Sequence, residues 1–159
     1  MIKITLITLG KLKEKYLREA SAEYEKRLSR YCKIDIIELE PVRLSEKPSQ
    51  SEIDLVLQKE SEMIIKKIPA NSKVYSLCVE GKQLSSEEFA KRNDGIFSQG
   101  GSLTFIIGSS YGLDESIKKL SDFRLSLSAM TFPHQLFRIM LLEQIYRSFK
   151  INEGSTYHK

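Results

Sequence analysis

His134 and Arg138 lie four positions apart just after Pro133, so on a helix they share one face close to its start. That end of a helix carries a partial positive charge. The pair suits holding a phosphate or carboxylate, or placing a base beside a substrate; a plain surface pair near a helix start is the alternative. Glu143 and Arg147 have the same spacing and suit a structural ion pair. The chain closes on Tyr157-His158-Lys159. An aromatic ring and basic groups suit stacking on a nucleobase and contact with phosphate, though a loose terminus would look the same.

A second set of candidates sits after strand-like runs, at 76–81, 106–112 and 125–133. Parallel sheets bind ligands beyond the carboxyl ends of their strands. Gly108, following a buried run, either lets a ligand approach the backbone or makes a tight turn. The loop after Leu127 can offer backbone amides and carbonyls to an adenine-like ring, and is equally a strand-to-helix connection. No Walker loop is present and no GxGxxG follows the first strand, which disfavours phosphate-cradling nucleotide chemistry.

The elements that would position these groups are legible in the pattern. Residues 2–9 alternate as a strand and stop at Gly10; 13–31 carry Tyr16, Leu17, Ala20, Tyr24, Leu28 and Tyr31 at helical spacing. A second strand over 34–39 gives way to a polar loop with two prolines, then to a helix over 51–67. A third strand over 74–79 is followed by Glu80-Gly81-Lys82, read as a turn. Ser85 and Glu88 form a capping box that opens a helix reaching about Ser98. A buried strand over 103–107, a short helix capped by Asp114 and a fifth strand over 123–127 follow. Pro133, at a first helical position, opens the last helix, which runs to 151. Strand and helix alternate throughout, so the expected class is α/β, a mainly parallel sheet with helices on both faces. Six of the seven residues over 136–142 are apolar, Arg138 being the exception. A helix apolar on nearly all sides needs cover on nearly all sides, and that points to a partner subunit as well as the chain's own sheet.

A chain of 159 residues is expected to be one domain, 1–159. With 41% hydrophobic and 29% charged residues it has the composition of a soluble globular protein. It lacks a run of the roughly 18 apolar residues a membrane span needs, and its start reads as a strand and glycine turn instead of a signal peptide. A cytoplasmic protein is expected. A net charge of +4 suits an anionic partner such as RNA without establishing one. Cys32 and Cys78 lack CxxC spacing and are expected to be free thiols; two histidines and two cysteines make a zinc site unexpected.

Several stretches together carry a family likeness: Glu80-Gly-Lys-Gln-Leu-Ser-Ser-Glu-Glu-Phe89, Phe105-Ile-Ile-Gly108 with Gly112, and Leu125-Ser-Leu-Ser. Thr131-Phe-Pro-His134, Arg138, Leu142-Glu-Gln-Ile-Tyr-Arg147 and the closing Tyr157-His158 complete it. Over its whole length the chain resembles the ribosomal RNA large-subunit methyltransferase H family, of the SPOUT class. It departs at Ser109, where the family often has Gly, while Ala129 and Phe132 occupy variable places. The resemblance implies methyl transfer from S-adenosylmethionine to N3 of a pseudouridine in large-subunit (23S) ribosomal RNA. It also implies a homodimer and a C-terminal trefoil knot whose loops hold the cofactor. Carried over by position, the cofactor contacts are Leu77, Gly108, Leu127, Ser128, Ala129, Met130, Thr131 and Phe132.

N3 of a uracil-type base must lose its proton around the time of attack, so a general base or a charge-stabilising cation helps. The candidates are His134 and His158 for proton removal, Arg138 for anchoring phosphate or the developing anion, and Tyr157 for stacking on or hydrogen-bonding to the target. No metal is required and no membrane is involved. A non-catalytic RNA-binding protein, or an α/β nucleotide-binding enzyme of another chemistry, are the alternatives.

Overall fold

The structure, a computed structural model, describes residues 1–158. Strand and helix alternate as β1 (Ile2–Leu9), α1 (Lys15–Leu28), β2 (Cys32–Leu39), α2 (Gln50–Ile65) and β3 (Ser72–Gln83), continuing with α3 (Ser86–Phe97), β4 (Ser102–Ile107), α4 (Glu115–Leu120), β5 (Phe123–Ser126) and α5 (His134–Asn152). The five strands form one sheet in the order β2-β1-β4-β3-β5, and every pairing is parallel. The α/β class and the helices on both faces follow the sequence expectation.

Alternation along each strand builds two cores. Ile4 and Leu6 of β1 and Leu103, Phe105 and Ile107 of β4 face Leu28, Phe89, Leu141, Leu142 and Ile145, on the side covered by α1, α3 and α5. Ile7, Leu9 and Ile106 face the other way, against Ile64, Leu113 and Ile117. Strands buried on both faces read as near-continuous apolar runs, which is why β1 and β4 are so evident in the sequence. The capping box forms as spaced: Ser85 Oγ accepts from the Glu88 amide, and the Glu88 carboxylate accepts from the Ser85 amide.

Two departures from the sequence reading bear on the site. Glu80-Gly81-Lys82 is not a turn but part of β3, which continues to Gln83. Its pairing with β5 shifts register there, Leu77 and Lys82 both standing opposite Leu125. Gly81 permits this: a Cβ at that position would lie 2.7 Å from the Arg124 carbonyl oxygen. Pro133 is the residue that caps α5, not its first helical residue; with ψ at 134° it is extended, and its carbonyl accepts from the Leu136 and Phe137 amides. Along α5, Leu141, Leu142, Ile145 and Phe149 enter the chain's own core, while Met140 is half-buried and Leu136 is 37% exposed. Among the described residues no helix is long and apolar enough to cross a membrane.

Candidate functional site

The carboxyl ends of β3, β4 and β5 open into one cleft of about 450 Å³, within the range that holds cofactor-sized ligands. Leu77 to Glu80 form one wall, the 107–113 segment a second, and 125–128 with 131–133 a third. His134 and Phe137, at the start of α5, close it. The three strand ends singled out in the sequence are therefore neighbours in space. Of the eight positions carried over as cofactor contacts, Leu77, Gly108, Leu127, Ser128, Thr131 and Phe132 line the cleft. Ala129 and Met130 do not: both are exposed, Met130 at 71%. The loop turns out there because Ser128 binds on both sides, its carbonyl accepting from Ser126 Oγ and its own Oγ accepting from the Met130 amide.

Gly108 is required by the chain itself. A Cβ there would lie 2.3 Å from the Gly112 carbonyl oxygen. The turn behind it is tight, with the Gly112 amide donating to the Ser109 carbonyl at 2.8 Å and Gly112 at φ +87°. Within the cleft Lys118 is paired with Glu80 and holds that carboxylate below its usual range. The lining thus offers apolar side chains, the hydroxyl-bearing Ser110, Ser126, Ser128 and Thr131, and the Lys118–Glu80 ion pair.

His134 is half-buried, and burial, then the Arg138 and Lys13 charges, depress its pKa below the ordinary histidine value. The ring is held neutral at physiological pH, the form that accepts a proton. Arg138 shares its face but points inward and is only 5% exposed. Nη1 donates to Glu38 Oε2 at 2.7 Å, and Nη2 to Thr8 Oγ1 at 2.9 Å and the Gly10 carbonyl at 3.0 Å. Arg138, expected to anchor phosphate or the developing anion, is engaged within the chain by these bonds, which fasten α5, and His134 with it, to the sheet.

Tyr157 and His158 lie elsewhere. The Tyr157 hydroxyl donates to Glu143 Oε2 at 2.9 Å, its ring meets Tyr146 edge-on at 5.1 Å, and Arg147 covers it at 4.8 Å. Arg147 Nη1 donates to His158 Nδ1 at 3.1 Å, which leaves Nε2–H to donate to Glu87 at 2.6 Å. Glu143 and Arg147 are an ion pair, as their spacing suggested, and also the dock for the tail. Lys159 lies outside the described residues. Within one chain the four catalytic candidates fall into three places: the cleft, the interior beneath it, and the α3–α5 face. Sequence reasoning passed over Glu60, buried on α2 with Ser109 Oγ donating to it. The signal was available, since Val56, Glu60 and Ile64 recur at four-residue spacing and put an acid in an apolar stripe.

A family model described as predicted SPOUT methyltransferase matches residues 2–158. The chain belongs to the SPOUT methyltransferase family. It is 51% identical over 157 residues to the ribosomal RNA large subunit methyltransferase H of Clostridium acetobutylicum, covering 98% of this chain and 99% of that one. The corresponding protein of Streptococcus suis is 51% identical over 159 residues, covering 99% and 100%. Among solved structures, a probable methylase family protein from Haemophilus influenzae Rd KW20 shares the fold at a TM-score of 0.54 and 13% identity, over 99% of this chain and 70% of that one. A SPOUT methyltransferase needs a place for its methyl donor, and the cleft fits a nucleoside sulfonium. Leu77, Ile107, Leu127 and Phe132 provide apolar surface for an adenine ring, and no unpaired cation stands among the lining residues to repel a positive sulfur.

Proposed function

We propose that the protein is a cytoplasmic homodimer that transfers a methyl group from S-adenosylmethionine to N3 of a pseudouridine in large-subunit (23S) ribosomal RNA. The observation that carries this reading is the convergence of the 77–80 segment of β3 and the loops after β4 and β5 on one cleft with His134 at its edge. Whole-length similarity to proteins named ribosomal RNA large subunit methyltransferases supports the substrate class.

When bound, S-adenosylmethionine supplies an electrophilic methyl carbon whose bond to sulfur breaks as the bond to N3 forms. The cofactor would be held by Leu77, Gly108, Leu127, Ser128, Thr131 and Phe132, with Ala129 and Met130 on the outer side of the same loop. In-line transfer depends chiefly on positioning, which rigid strand ends provide. His134 is the group in the cleft able to take the N3 proton as the ring becomes a nucleophile. Arg138 positions His134 through Glu38, Thr8 and Gly10.

Tyr157 and His158 do not line the cleft of their own chain, so a homodimer is the arrangement that can bring a tail to a partner's cleft. There Tyr157 would meet the target base, and His158 would be a second candidate for the proton. The exposed Leu136 and half-buried Met140 on α5 support such an interface. The same reading includes a C-terminal trefoil knot. Membership of the SPOUT family is what supports it.

Calorimetric titration with S-adenosylmethionine tests the proposal. Saturable binding lost on filling the cleft, for example in Thr131→Trp, is expected. Absence of binding by the folded wild-type protein would overturn it.

A further inference from the structure

Glu60 is a carboxylate on an otherwise largely apolar helix face. It lies between Val56 and Ile64 on the inward stripe of α2 and is 3% exposed. A buried carboxylate is costly unless hydrogen-bonded. This one accepts two bonds, from the Val42 amide at 3.1 Å and from Ser109 Oγ at 3.1 Å. Desolvation still outweighs them and pushes its pKa above the ordinary value. Its distinctive contribution is therefore the pair of bonds it makes.

Both partners belong to segments with no strand or helix of their own. Val42 sits in the connection between β2 and α2, and Ser109 in the tight 108–112 turn that forms one wall of the cleft. The neighbouring Pro41 and the ring of His134 each stand 3.8 Å from where a Cβ on Gly10 would be. One carboxylate thus ties the cleft wall to the loop that flanks the histidine.

We propose that Glu60 is a positioning residue that fixes Ser109, and with it the 108–112 wall of the cleft, in the geometry that receives the methyl donor. The inference rests on the reading of this cleft as the S-adenosylmethionine site. Ser109 is then the residue through which the 108–112 turn gains a side-chain fastening.

The test compares wild type with Glu60→Ala, Glu60→Gln, Ser109→Ala and the double alanine variant by two measurements well below their melting temperatures. The first is amide hydrogen exchange without cofactor. Glu60→Ala and Ser109→Ala should both speed exchange of the 109–112 amides. Glu60→Gln should not, because its carbonyl can accept from Val42 while its amide donates to Ser109 Oγ. The second is S-adenosylmethionine affinity. Losing the shared bond should weaken binding about tenfold in either alanine variant, with the double variant no worse; Glu60→Gln should stay within about threefold of wild type. Exchange at 109–112 unchanged in both single alanine variants overturns the inference. So does faster exchange spread evenly over α2 and β4 with affinity intact, the mark of a merely structural group. A wild-type protein that binds no S-adenosylmethionine would remove the cofactor reading, while the exchange comparison still decides whether Glu60 holds the wall.

Discussion

Arg138 and Glu38 meet at 2.7 Å between α5 and β2, with the guanidinium almost wholly buried and Thr8 and Gly10 completing its shell. That relationship makes the only charged residue in the most apolar stretch of α5 a fastening for the helix that carries His134. Arg138→Ala should therefore cost about 1–3 kcal/mol in urea unfolding, from the hydrogen bonds its buried guanidinium makes, while Glu38 at 36% side-chain exposure is left to solvent. A residue whose role was to grip phosphate at the surface would leave stability unchanged and alter the salt dependence of RNA binding.

His134 gives a pH dependence with a defined sign. Its pKa is depressed, so the neutral, proton-accepting form persists to lower pH than for an ordinary histidine. Single-turnover methylation should rise with pH through an apparent pKa below that of a free histidine and then level off. His134→Gln should abolish the inflection and lower the rate by roughly 10²–10⁴. An unchanged profile in that variant would move proton removal to His158.

Gly108→Ala should destabilise the protein by about 1–3 kcal/mol, because the added methyl meets the Gly112 carbonyl and the turn must move. Its loss of cofactor affinity would follow from a displaced wall. Thermal unfolding measured beside the titration separates the two, and a variant as stable as wild type would contradict the close approach.

The proposed dimer makes different demands on neighbouring residues of α5. Leu141 is fully buried within its own chain, so Leu141→Asp should unfold it; Met140 is half-buried, and Met140→Asp should give folded monomers in sedimentation. A folded dimer from Met140→Asp would place the two-fold contact elsewhere.

Much of this arrangement is legible in the amino-acid sequence. β1 and β4 announce themselves because both faces are buried, and Ser85 with Glu88 states the start of α3. The cleft-forming strand ends were legible because parallel sheets place ligands there. What sequence could not convey were relationships set by tertiary approach. Glu80-Gly81-Lys82 has turn chemistry, yet β5 recruits it into β3 through the space Gly81 leaves. Arg138 looked like an anion site because helical spacing pairs it with His134; only packing against Glu38 turns it inward. Tyr157 and His158 looked free because nothing local holds them, whereas Glu143, Arg147 and Glu87 come from other turns and another helix.

Deleting 157–159 should leave the fold and the association of chains nearly intact, since the described contacts of the tail are peripheral. Cofactor affinity should change little. Methylation of ribosomal substrate should fall at least about tenfold, equivalent to about 1.4 kcal/mol of transition-state stabilisation. Full activity without the tail would leave the chemistry to His134 alone.

Methyl transfer to ribosomal RNA is measured by incubating the purified protein with methyl-labelled S-adenosylmethionine and ribosomes or large subunits lacking the modification, then digesting the RNA and identifying the labelled nucleoside by mass spectrometry. Label is expected in the large-subunit RNA, approaching one methyl per particle, on N3 of a pseudouridine. Label confined to another base or position, or folded protein that transfers none to any of these particles, would contradict it.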